Sequence, residues 1–129
     1  MKLPDLFNKL YGVYEQHQNL IIALDFDDTI FDWKNSGYDL EYIRDLVRRC
    51  QKHLNAKVIL FTCREGLVLS EAIDYCNDQG IGLWGVNKNP DHPPTSSKPF
   101  YNVLLDDKAC LAEVAAVLER LLKEFGNEA

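Results

Sequence analysis

The residues best suited to chemistry sit at the ends of short apolar runs. Leu20-Ile21-Ile22-Ala23-Leu24 is followed by Asp25-Phe26-Asp27-Asp28-Thr29, and Val58-Ile59-Leu60-Phe61 by Thr62-Cys63-Arg64. Val103-Leu104-Leu105 is followed by Asp106-Asp107, with Lys98 upstream of that run. If the runs are parallel strands, these segments converge, because ligands of an open parallel sheet bind beyond the carboxyl ends of its strands. Asp25 and Asp106 brought together would repel each other unless a cation sat between them, and hard carboxylate oxygens suit Mg²⁺. Thr62 can donate its hydroxyl to a phosphoryl oxygen, and Lys98 supplies a point charge for the same group. Metal, ammonium and hydroxyl together would offset the charge that spreads over a phosphoryl group in flight.

The elements that must hold these residues can be read from hydrophobic patterning. A fourth run, Ile81-Gly82-Leu83-Trp84-Gly85-Val86, joins the three above. All are continuous rather than alternating, as in strands buried on both faces of a parallel sheet. Leu40, Ile43, Val47, Cys50 and Leu54 share one face of a helix that Asp39 could cap. A second helix spans Gly66 to Gln79 and is stopped by Gly80, and Leu111, Val114, Ala115, Leu118, Leu121, Leu122 and Phe125 mark a third. Residues Pro4 to Gln16 form a weaker helix that packs on the sheet or on another subunit. Strand and helix alternate, so the expected fold is α/β: a three-layer, doubly wound, Rossmann-like parallel sheet. Asn87 to Ser97, rich in proline, is an irregular wall beside a strand end.

Composition narrows the function classes. The chain has 129 residues, 47% of them hydrophobic and 26% charged, enough for one domain with an ordinary core and too few for a second. The net charge of −6 argues against indiscriminate binding to nucleic acid or anionic membranes. No apolar run reaches the roughly 18 residues of a membrane span, and the first residues lack the apolar stretch of a secretory signal. A cytoplasmic protein with no membrane partner is expected. The 4 cysteines, Cys50, Cys63, Cys76 and Cys110, show no CxxC spacing and read as reduced core thiols. Cys63 reads as packing despite its position, and Trp33, Tyr38 and Trp84 as core or rim aromatics. Arg44, Arg48, Arg49 and Lys52 could form a phosphate-backbone stripe, but Glu41 and Asp45 lie within pairing distance, so a solvated helix face is the better reading.

Taken in order, Asp25-Phe26-Asp27-Asp28-Thr29, Thr62, Lys98 and Asp106-Asp107 resemble the four motifs of the haloacid dehalogenase superfamily of phosphohydrolases. The resemblance spans roughly residues 20 to 125 and implies a single domain over 1–129, with the catalytic core in 20–125 and an added N-terminal helix in 1–19. Arg64-Glu65-Gly66, Glu71 to Cys76 and Asn87-Lys88 are similar to small bacterial and phage members without cap domains. Asp25 would then be the nucleophile that forms an aspartyl-phosphate, and Asp27 the acid and base that also lends its backbone carbonyl to the metal. Asp106 would bind Mg²⁺ directly, Asp107 would support a metal water or Lys98, and Thr29 would pin the turn. Arg64 falls between a substrate contact and a surface charge. Many relatives carry Gly where this chain has Asp28.

The segments between the motifs hold no room for a cap, which implies an open site. Residues 31–37 would form a small flap, and the substrate would be a phosphorylated small molecule or a macromolecular end. A homo-oligomer covering the site is the alternative enclosure. The resemblance implies a magnesium-dependent phosphomonoesterase, with a nucleotide or polynucleotide end phosphatase as a second version. From another class, a receiver-like phosphoacceptor domain uses similar residues in a different order, with its acceptor Asp after a middle strand.

Overall fold

A computed structural model of the chain describes residues 3–88 and 101–126. The elements are α1 (Leu3–His17), β1 (Ile21–Asp25), α2 (Glu41–His53), β2 (Lys57–Phe61), α3 (Gly66–Asp78), β3 (Leu83–Val86), β4 (Val103–Leu105) and α4 (Leu111–Phe125). All strand pairings are parallel, in the order β3-β2-β1-β4. The chain therefore winds outward from β1 through β2 to β3, then crosses back to place β4 on the other flank of β1. The switch point between β1 and β4 is where a crevice opens at the carboxyl edge.

Register explains why the runs are apolar throughout. Ile22 pairs with Val58 and Val103, and Leu24 with Leu60 and Leu105. These six side chains share one face, and they form a single core with the buried residues of all four helices. Ala23 and Ile59, paired on the opposite face, are fully buried as well. The two central strands are thus covered on both sides, as continuous hydrophobicity requires. The result is a Rossmann-like α/β sheet flanked by helices.

α1 packs on the chain's own α4: the rings of Tyr11 and Tyr14 each lie 4.7 Å from that of Phe125. Its apolar side, with Leu10 fully buried, joins the common core. α2 begins one residue later than a cap at Asp39 implies, yet the Asp39 carboxylate accepts the Glu41 N–H at 2.9 Å. The expected strand 81–86 is shorter. Ile81 donates its N–H to Cys76 O and completes the end of α3, and a register shift between Val58 and Ile59 follows. Gly80, at φ +75°, takes the left-handed conformation that ends α3. The basic side of α2 is engaged: Arg44 and Arg48 pair with Glu41, Arg49 with Asp45 and Glu119, and Arg48 also donates to Gln79 O. No described helix is long and apolar enough to cross a membrane.

Candidate functional site

The loop after β1 is folded tightly on Phe26, whose carbonyl accepts the N–H groups of Ile30 (3.1 Å) and Phe31 (3.2 Å). Asp28 N–H donates to Phe31 O at 2.6 Å. The turn requires a left-handed residue at position 28, and Asp28 adopts φ +62°. A glycine would take this conformation without strain, and Asp tolerates it better than most residues. The Asp28 carboxylate accepts the Lys34 N–H at 3.1 Å, so the additional charge helps to tie down residues 31–37. Asp32 closes that segment by accepting from Ser36 and Gly37, each at 2.9 Å.

The turn aims Thr29 inward, where it is the fully buried polar side chain among the described residues. Its hydroxyl donates to Asp25 Oδ2 at 2.9 Å and accepts the Asp107 N–H at 2.9 Å. Thr29 thus fastens the end of β1 to the second residue after β4, beyond pinning its own turn. Register places Leu24 beside Leu105, so Asp25 and Asp106 follow on adjacent strands. Carboxylate oxygens of Asp25, Asp106 and Asp107 lie within 4.8 Å of one another. Burial pushes the Asp25 carboxyl up to about 6; the Thr29 hydrogen bond opposes this, and the charges of Asp106 and Asp107 reinforce it. The donor set of three hard carboxylate oxygens fits a divalent ion of the Mg²⁺ type.

The structure places the Asp107 and Asp27 carboxylates differently. Asp107, expected to stand behind the metal, contributes its own carboxylate to the cluster. Asp27 does not: its carboxylate is held in a fork by Arg64, with Nη2–Oδ1 at 2.7 Å and Nε–Oδ2 at 3.2 Å. The Arg64 guanidinium lies over the rings of Phe26 (4.9 Å) and Phe31 (5.5 Å), which stack on each other and meet Tyr75 edge-on. It also donates to Val68 O at 3.3 Å in the first turn of α3. Arg64 is therefore mostly enclosed, and neither a surface charge nor an open cation.

Thr62 leaves β2 opposite the cluster. Its backbone N–H donates to Asn87 Oδ1 at 3.0 Å, and Asn87 Nδ2 donates back to Thr62 O at 3.0 Å. Its Oγ1 accepts the Arg64 N–H at 3.1 Å, which leaves the hydroxyl proton available to a ligand. Asn87 itself sits at φ +56° immediately after β3. An asparagine just beyond an apolar run, tolerant of the left-handed region, is the signal that could have marked it.

Asp25, Asp27, Thr62, Asp106 and Asp107 line one cleft of about 320 Å³, together with Asp28, Trp33, Lys34, Cys63 and Lys108. Lys34 and Lys108 are cations that sequence reasoning passed over. Lys98, the expected ammonium, lies outside the described residues, as does the wall at residues 89–97. Cys63 and Cys110 are exposed, contrary to the core reading, because Cys63 lies two residues past the end of β2 and Cys110 at the N-terminus of α4. Cys50 and Cys76 are buried as expected. Trp33 is 63% exposed and Tyr38 76% exposed, so neither packs in the core. Trp84 is half-buried beneath the Lys57 ammonium, 5.2 Å from its ring.

A solved structure of a conserved protein from Bacteroides thetaiotaomicron shares this arrangement of elements, with a TM-score of 0.65 and 25% identity. The match covers 80% of this chain and 92% of that one. No protein family and no curated protein matches the chain.

Proposed function

We propose that the protein is a magnesium-dependent phosphomonoester hydrolase of the haloacid dehalogenase type, without a cap domain, working through an aspartyl-phosphate on Asp25. The observation that carries this reading is the cluster of Asp25, Asp106 and Asp107 within 4.8 Å at the topological switch point, facing the Thr62 hydroxyl across one cleft. Three converging carboxylates support a cation site, and a cation at that point draws in a phosphate.

Asp25, Asp106 and Asp107 would hold the metal, with the backbone carbonyl of Asp27 as a further oxygen. Bound there, Mg²⁺ would supply positive charge that neutralises the carboxylates and offsets charge on the phosphoryl oxygens. Thr29 occupies Asp25 Oδ2 and so fixes the carboxylate plane, leaving the other oxygen to attack phosphorus. The new bond is Asp25 O–P; the ester P–O bond breaks, and its electron pair leaves with the organic oxygen, which takes a proton from Asp27 where it needs one. Water then attacks phosphorus, gives its proton to Asp27, and returns the Asp25 carboxylate. Thr62 donates to a non-bridging phosphoryl oxygen throughout.

The purified protein is expected to release phosphate from an aryl phosphate in the presence of Mg²⁺ and not after chelation. Asp25→Asn should abolish release while leaving the fold intact, and turnover retained in that variant would overturn the reading. The polynucleotide-end version is less favoured: Arg44, Arg48 and Arg49 are paired with carboxylates rather than arrayed for a phosphate backbone.

A further inference from the structure

Asp27 and Arg64 come from different loops, yet they make a two-point charged contact at the edge of the cleft. Both carboxylate oxygens of Asp27 accept N–H donors of one guanidinium, at 2.7 and 3.2 Å. That guanidinium is itself fixed on three sides: by the Phe26 and Phe31 rings beneath it, by Val68 O, and by the backbone of residue 64 tied to Thr62 Oγ1. A planar fork of this kind sets both the position and the plane of the carboxylate it holds, which a lysine in the same place would not do. Asp27 lines the cleft with its side chain 34% exposed, whereas Arg64, 16% exposed, stands behind it in an adjoining pocket.

The fork has a direction. Each Asp27 oxygen gives one lone pair to the guanidinium and keeps another directed away from it, where a proton from water can be accepted. We infer that Arg64 is a positioning residue that orients Asp27 to take the proton of the attacking water, and so, for an ester whose leaving oxygen needs no proton, governs hydrolysis of the phosphorylated Asp25 rather than its formation. This rests on the hydrolase reading above. In the step concerned, the water oxygen bonds to phosphorus, the P–O bond to Asp25 breaks with its electron pair returning to the Asp25 carboxylate, and the water proton passes to Asp27.

The test uses an aryl phosphate, whose leaving oxygen departs without a proton, so that only the second half-reaction depends on Asp27. In a two-step covalent mechanism, slowing the second step lowers kcat and KM together and leaves kcat/KM unchanged. Arg64→Gln should therefore reduce kcat by about 100-fold, the scale expected for a misplaced reacting group, with KM falling by the same factor. The acid-quenched protein should carry more phosphate on Asp25 during turnover than wild type does. Arg64→Lys keeps the charge but loses the fork, and should show the same pattern to a smaller extent; it remains informative if the Gln variant folds poorly. Added guanidinium ion should restore part of kcat in the Gln variant.

A raised KM with reduced kcat/KM would make Arg64 a substrate contact and overturn the inference, as would an unchanged kcat. Those results would leave the hydrolase reading standing. A wild-type protein that never carries phosphate on Asp25 would overturn the hydrolase reading itself and this inference with it.

Discussion

The two sides of the cleft treat negative charge in opposite ways. On the Asp27 side the carboxylate has its counter-charge built in, an arginine held by two aromatic rings and a helix carbonyl. On the β1–β4 side, Asp25, Asp106 and Asp107 face one another, and among the described residues the hydrogen bonds made there come from the Thr29 hydroxyl to Asp25 and the Lys108 N–H to Asp106. Burial, reinforced by the like charges of Asp106 and Asp107, pushes the Asp25 carboxyl up to about 6. A paired charge is part of the fold and remains in place. A cluster of like charges costs stability until something neutralises it, and such sites are where function concentrates.

The largest effect should come from removing the Asp25 carboxylate. Asp25→Asn should lower aryl phosphate hydrolysis by about 10⁴-fold or more, the scale for losing a nucleophile. The same variant, free of metal at neutral pH, should unfold at a higher temperature than wild type, because a like charge has been removed. Equal or lower thermal stability would mean that like charge does not destabilise the cluster, and the contrast between the two sides would collapse.

Thr29→Val keeps the shape and removes the hydroxyl that joins Asp25 to the Asp107 N–H. A stability loss of about 1–3 kcal/mol is expected from two buried groups losing their partner. Chemical denaturation would measure it, and a loss well below that range would mean that water replaces the hydroxyl without cost.

The pH dependence follows from the same asymmetry. Asp25 in the folded, metal-free protein takes up a proton near pH 6, against 3.8 for the ordinary group. Between those values the folded state binds more protons than the unfolded one, so this group's contribution to stability falls as pH rises from about 4 to about 6 and then levels off. Subtracting the pH profile of Asp25→Asn from that of wild type should isolate the slope; a flat difference would contradict it. The smallest effect belongs to the surface pairs of α2: Arg49→Ala should cost about 0.5–1 kcal/mol and leave hydrolysis unchanged.

Much of the scaffold could be read from the sequence because it follows from local physics. Strands buried on both faces must be continuously apolar, as Ile22-Ala23-Leu24 and Val58-Ile59-Leu60 are, and a left-handed glycine must stop α3 at Gly80. That Asp25 and Asp106 meet was also legible, since parallel strands deliver their carboxyl ends to one edge. The Asp27–Arg64 fork was not, because it depends on how a turn of β1 and the start of α3 stack through Phe26, Phe31 and Tyr75. Nothing in the spacing of residues 27 and 64 encodes that contact. The exposure of Cys63 was misread for a related reason: apolar runs predict what is buried along a strand, whereas the residue two places past its end already lies on the cleft wall.

The central claim is that the carboxylate cluster carries phosphoryl transfer through Asp25. The most direct measurement is to incubate the protein with an aryl phosphate and Mg²⁺, quench it in acid, and map the phosphorylated residue by mass spectrometry. Phosphate on Asp25, present with Mg²⁺ and absent after chelation, is the predicted result. Phosphate released during turnover with none carried on Asp25, or phosphate found on another residue, would contradict it.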